Sequence, residues 1–281
     1  MSIRDHVGGR RPPNDTKSGQ SITKVIWLAV TLAVLLSVGV SLFVKGRANA
    51  IRTDPITLCA VDGPPTEIVV LLLDMSDEFS TPQRLKIRNE IERIRATVKR
   101  FGLVEVYAVD RMEQRVTTPL VHLCNPGTGA DMNRLYQNPA LAKRKWGEFA
   151  NQLDIELDRL MSMPSTPTSA IFEAIQATSL RTFNRAGYDT IPKRLVVISD
   201  LMQNVPGRMS QYRETEPFDS FQNSSYYSNI RADLSGVAVT VLYLVRPNAP
   251  QRWPDHLRFW EQYFLAQGAI VTRLEPVYGA Q

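Results

Sequence analysis

The chain has 281 residues, of which 43% are hydrophobic and 22% charged, the balance of a globular protein. With 15 Gly, 18 Pro and two Cys it is neither collagen-like, nor disulfide-dense, nor disordered throughout. Its net charge is +5, but five of the 33 basic and two of the 28 acidic residues lie within 1–24; the remainder, 28 basic against 26 acidic, carries no broad phosphate-binding field, and no nucleic-acid partner is expected.

The first element is Val25–Val44, VIWLAVTLAVLLSVGVSLFV, an uncharged stretch bracketed by Lys24 and Lys45. At about 1.5 Å per residue it spans roughly 30 Å, the hydrocarbon thickness of a bilayer, and it lacks the polar stripe of a soluble helix. It is expected to cross the membrane once. That divides the chain into a basic tail (1–24), the transmembrane helix (25–44), a linker (45–66) and a domain (67–281). Arg4, Arg10, Arg11, Lys17 and Lys24 place the amino terminus in the cytoplasm by the positive-inside rule. The domain then lies outside, in the periplasm of a bacterial inner-membrane protein. A cleaved signal sequence stays open as an alternative, because Ala48-Asn49-Ala50 has the form of a processing site. So does the eukaryotic secretory route, where Asn223-Ser224-Ser225 would be a glycosylation sequon.

Beyond the linker, strands and helices alternate. Ile68–Leu73, IVVLLL, reads as a strand buried on both faces. Ser80 is a helix cap with Gln83 at the capping-box position, and Ile87, Ile91, Ile94, Val98 and Phe101 form one buried stripe that Gly102 ends. Leu103–Val109 and Val116–Leu123 are the next strands, the latter with an antiparallel setting open. A helix over 138–161 turns Trp146, Phe149, Leu153, Leu157 and Leu160 to the core, and another runs over 168–185. Strands at Leu195–Ile198 and Val237–Val245, a helix over 254–267 and a strand at Ala269–Leu274 complete the pattern. It predicts an α/β three-layer sandwich with a mostly parallel central sheet.

Cys59 lies in an extended stretch before the first strand of the domain, and Cys124 lies in LVHLCNPG after the second. In an oxidising compartment they are expected to form a disulfide; the alternative is two unrelated buried thiols. With three histidines in the chain and no second ligand pair beside the cysteines, a zinc site is not expected.

In open α/β sheets ligands bind beyond the carboxyl ends of the strands. Two strands end there in acids: LLLDMSDE supplies Asp74, Ser76, Asp77 and Glu78, and VVISDLMQ supplies Ser199 and Asp200. Converging carboxylates repel unless a cation or proton lies between them, and an all-oxygen set suits Mg²⁺. In this the chain resembles a von Willebrand factor type A domain, whose adhesion site combines D-x-S-x-S after the first strand, a Thr before a middle helix and an Asp after the fourth strand. Asp74 and Ser76 match the first two motif positions, Glu78 stands where the family has Ser, Ser169 aligns with the Thr position beside Thr168, and Asp200 matches the last acid. The resemblance spans about Ile68–Leu274. It implies a VWA/Rossmann-like fold and Mg²⁺ held by Asp74, Ser76, Glu78, Thr168, Ser169 and Asp200. It also implies a non-enzymatic module that captures an acidic side chain of another envelope or secreted protein.

Leu201–Ser235 is longer than most connections and carries Met202, Tyr212, Phe218, Phe221, Tyr226 and Tyr227, a composition suited to partner binding. The alternative is that Phe218 and Phe221 plug the sheet end. Two further functions compete: a metal-independent structural subunit of an envelope complex, and a phosphate hydrolase of haloacid dehalogenase type. The latter wants a second Asp two residues after Asp74, where this chain has Ser76. The anchor's remaining contact is membrane lipid.

Overall fold

A computed structural model describes residues 16–48, 51–109, 118–130, 138–212, 216–246, 249 and 252–279. The basic tail before Thr16 lies outside these residues, as do Val116 and Thr117 of the expected third strand. The chain forms two compact units, one containing the amino-terminal helix and the other beginning at Ile51.

Helix α1, Thr16–Ala48, contains a stretch, Thr23–Val44, that is long and apolar enough to cross a membrane. None of that stretch is buried by protein, so its side chains require an apolar surrounding of another kind.

The second unit is built on a six-stranded sheet in the order β3-β2-β1-β4-β7-β8. Its strands are β1 Ile68–Leu73, β2 Leu103–Ala108, β3 Val121–Cys124, β4 Lys193–Ser199, β7 Val237–Leu244 and β8 Ile270–Val277. All pair in parallel except β3, which is antiparallel to β2. Two-residue strands β5 (Asn204–Val205) and β6 (Met209–Ser210) make a separate hairpin turned at Gly207, whose φ of +75° favours glycine. The central strand shows why the fold has three layers. Ile68, Val70 and Leu72 enter a core with Phe172, Trp260 and Tyr263, while Val69, Leu71 and Leu73 enter the opposite core with Ile87 and Phe149. Alternate side chains leave opposite faces of a strand, so a continuous apolar run demands cover on both.

That cover comes from α2 (Thr81–Thr97) and α3 (Pro139–Met161) on one face, and α4 (Ile171–Thr178) and α7 (Trp253–Ala266) on the other. Ser80 caps α2 in a capping box with Gln83, as the sequence predicts. Phe101 rather than Gly102 takes the left-handed turn after α2, at φ +63°. Gly102 is instead required for close approach, since a Cβ there would lie 2.8 Å from Val98 Cγ2. On α3, Phe149, Leu153, Leu157 and Leu160 are buried, whereas Trp146 is only half-buried. A π-helical turn, Ser179–Phe183, follows α4 and brings Thr182 Oγ1 to 2.7 Å from the buried Glu105 carboxylate.

The expected linker is different from its reading. Residues from Ile51 onward belong to the domain: Thr53 bridges Ala60, Leu58 is buried at φ +60°, and Cys59 is bonded to Cys124 across 65 residues. The arm is pinned to the antiparallel edge, where Cys124 N–H donates to the Thr57 carbonyl at 2.8 Å.

Candidate functional site at the carboxyl edge of the sheet

β1 and β4 are adjacent and parallel, so the residues that follow them emerge side by side; Asp74 N–H still donates to the Ile198 carbonyl at 2.9 Å. Asp74, 3% exposed, accepts three hydrogen bonds. Ser76 N–H reaches Oδ1 at 3.0 Å, while the hydroxyls of Ser169 and Ser199 reach Oδ2 at 2.9 and 2.6 Å. Ser199 Oγ also accepts from Leu201 N–H at 2.7 Å, and Leu201 is held at φ +59°, an uncommon conformation for a branched residue. That turn aims the following loop across the sheet end. There Ser169 and Asn204 exchange backbone hydrogen bonds of 2.9 and 2.8 Å, and Gln203 Oε1 accepts from Phe172 N–H in the first turn of α4. Ser169 is thus placed by the 201–204 loop.

Asp200, 2% exposed, accepts Met202 N–H at 3.0 Å on Oδ1 and Arg246 Nε at 3.2 Å on Oδ2. Burial, and then the charge of Asp74, push the Asp200 carboxyl up to about 7. Arg246 leaves the end of β7, the strand next to β4. Its Nε is also 3.7 Å from Asp77 Oδ2, and its NH1 donates to the Glu78 carbonyl at 2.8 Å. The guanidinium therefore ties the β1–α2 loop to the end of β4.

Two open cavities meet here. One, of about 480 Å³, is lined by Asp77, Glu78, Asp200, Met202, Tyr212 and Arg246. The other, of about 220 Å³, is lined by Ser76, Asp77, Thr166, Ser169, Asn204 and Tyr212. Asp77 and Tyr212 border both.

Of the residues expected to hold Mg²⁺, Asp74, Ser76 and Ser169 come together as one hydrogen-bonded group, with Ser199 added. Thr168 is half-buried and contributes its backbone carbonyl to Thr166, so Ser169 is the residue whose hydroxyl meets Asp74. Glu78 is exposed, and its recorded tie to Arg246 is through its backbone carbonyl. Oxygen donors of the right type are present, yet the set does not fit a divalent ion. Ser76 and Ser169 line one cavity and Asp200 the other, and a guanidinium already occupies the Asp200 side. Among the described residues no three acidic, His or Cys side chains converge as a metal cluster.

Of the residues expected at a partner surface, Tyr212 is 43% exposed, whereas Met202 is corrected to a fully buried position beneath the larger cavity. Phe218, Phe221 and Tyr227 are corrected to core positions. They sit on short helices α5 (Phe218–Gln222) and α6 (Ser225–Asn229), and Phe221 packs 5.2 Å from Phe172 and 5.3 Å from Phe259. Burying such rings against α4 and α7 stabilises each by about 1.5–3 kcal/mol, which exposure at an interface would forgo. Tyr226 is half-buried, its hydroxyl donating to Glu173 at 2.7 Å and accepting from Gln203 at 2.9 Å. Arg246 was missed by the sequence reading. Its signal was a basic residue directly after the apolar run VAVTVLYLV, the same place that acids hold after β1 and β4.

Fold and site together define an α/β domain with a charged, cavity-bearing sheet edge, carried behind one helix of membrane-spanning length. No family model matches the chain, nor does any curated protein. Among solved structures it is similar to a conserved hypothetical protein BatB from Bacteroides thetaiotaomicron, at 12% identity and a TM-score of 0.38, covering 75% of this chain and 91% of that one. It is also similar to an aerotolerance-related membrane protein from Bacteroides fragilis NCTC 9343 bearing multiple mutations to serines. There the identity is 15% and the TM-score 0.30, with 63% of this chain and 66% of that one covered.

Proposed function

We propose that the chain is a membrane-tethered, non-enzymatic binding module whose domain, on the periplasmic side of a bacterial inner membrane, engages another envelope or secreted protein through the carboxyl edge of its sheet. The observation that carries this reading is the larger cavity, where charged Asp77 and Arg246 stand beside the part-exposed Tyr212. An arginine beside a part-exposed tyrosine is a pairing that protein interfaces favour. Binding is favoured over phosphate hydrolysis of the haloacid dehalogenase type because Ser76 stands where the second Asp is wanted and both carboxylate oxygens of the buried Asp74 are engaged by Ser76 N–H and the hydroxyls of Ser169 and Ser199. Five basic residues ahead of the uncharged stretch Val25–Val44 support the sidedness.

The test is site-specific photo-crosslinking of the full chain in cells that encode it, with the crosslinker at Tyr212 and, as control, at the exposed Ile155 of α3. A discrete protein adduct from position 212 alone, lost when Asp77→Arg is added, is the expected result. Equal adducts from both positions, or none from 212, would exclude the edge as the docking surface.

A further inference from the structure

We infer that Arg246 is the resident cation of the carboxyl edge and stands where a divalent ion would otherwise bridge the same segments, so that the native edge takes up neither Mg²⁺ nor Ca²⁺. The residues show how. One guanidinium reaches Asp200 Oδ2 at 3.2 Å, Asp77 Oδ2 at 3.7 Å and the Glu78 carbonyl at 2.8 Å. These belong to the two segments, after β1 and after β4, from which an ion would draw its acidic ligands. Its side chain is 21% exposed and that of Asp200 2%, so the pair is screened far less than a surface pair.

A hard cation asks for about six to eight oxygens at roughly 2.0–2.6 Å. Bound to Asp200, such an ion would lie within a few ångströms of the guanidinium, and the repulsion between them outweighs the ligation that one buried carboxylate supplies. Asp74, the other strand-terminal acid, is meanwhile satisfied by the Ser76 N–H and the hydroxyls of Ser169 and Ser199. Each of the two strand-terminal carboxylates thus has its own protein partners, neutral donors for Asp74 and the Arg246 guanidinium for Asp200. This holds whether or not a partner protein docks there. Arginine also keeps its charge at any physiological pH and cannot be removed by chelation, so the edge stays assembled where free divalent ions are scarce.

The experiment titrates Mn²⁺, followed by its electron paramagnetic resonance signal, and Mg²⁺, followed by the unfolding temperature, into the full chain purified in detergent. The native protein is expected to bind no stoichiometric Mn²⁺ and to show no Mg²⁺-dependent shift up to about 1 mM, the weak end of protein sites for hard cations. Arg246→Ala is expected to gain Mn²⁺ affinity by at least about tenfold, since the competing charge is gone. Asp200→Asn added to it abolishes the gain. Stoichiometric Mn²⁺ binding by the native chain overturns the inference, and so does an Arg246→Ala protein that folds but binds no better than native. Should Arg246→Ala not fold, Arg246→Met keeps the side-chain stem and takes its place in the comparison.

Discussion

Glu105 sits in the middle of β2, 5% exposed, with its carboxylate held by the Thr182 hydroxyl at 2.7 Å, the Tyr107 hydroxyl at 3.0 Å and His122 Nδ1 at 2.7 Å. Burial alone raises such a group, but here the hydrogen bonds from His122, Thr182 and Tyr107 together outweigh it and hold the carboxyl below its usual range. A carboxylate whose pKa is lower in the folded state stabilises the fold fully above its unfolded pKa, near 4.3, and that contribution fades as pH falls through the folded value. Glu105→Gln is therefore expected to lose about 1–3 kcal/mol at pH 7, the usual size for a buried charge-assisted group. The deficit relative to the native chain shrinks as the pH drops below about 4. Urea midpoints across that range check it; a deficit that is constant with pH, or that grows on acidification, would sink the account.

The same scale explains what the sequence could and could not show of the edge. Asp74, Ser76, Ser169 and Asp200 were legible because each follows or precedes an apolar run whose direction is fixed by its neighbours. Arg246 was not, because its meeting with Asp200 depends on β7 lying beside β4, and strand adjacency across a crossover leaves no mark on local sequence.

Among the elements, strands and long helices were readable from periodicity, and Ser80 with Gln83 set the start of α2 as a cap should. The segments that escaped are those too short for a period to develop. Helices α5 and α6 have five residues each, so their aromatics read as decoration on a loop. The arm before β1, taken for a linker because of Asp54-Pro55 and Gly63-Pro64-Pro65, is held by Leu58 and by a disulfide rather than by any repeating pattern. The structure's placement of Phe221 has a measurable consequence. A ring that is 3% exposed among Phe172, Phe218, Tyr227 and Phe259 should lose about 3–5 kcal/mol of stability as Phe221→Ala. Tyr212→Ala, at a part-exposed position, should stay within about 0.5 kcal/mol. Denaturant unfolding of both variants separates the roles, and a Phe221→Ala protein as stable as native would return that ring to the surface.

For the whole molecule, anchor, sidedness and disulfide form one chain of dependence. Thr23–Val44 has the length and apolarity to hold the chain in a bilayer, and in the proposed orientation the basic residues within 1–24 keep the amino terminus inside. That proposed orientation would expose the domain to an oxidising compartment, the condition for Cys59 and Cys124 to stay bonded. The bond closes a loop of 65 residues that contains β1, α2 and β2, so in the chain-entropy model it stabilises the domain by roughly 4 kcal/mol. A chain beginning at Ile51 and kept in a reducing cytosol should fold on the same two cores but without that contribution, melting about 10 °C lower. Maleimide labelling provides the readout. The full chain, quenched directly from cells, should take up label only after reduction, and the truncated cytosolic form should take up two labels without it. Ready labelling of both thiols in the unreduced full chain would place the domain on the cytoplasmic side, and would reverse the orientation drawn from its positive charges.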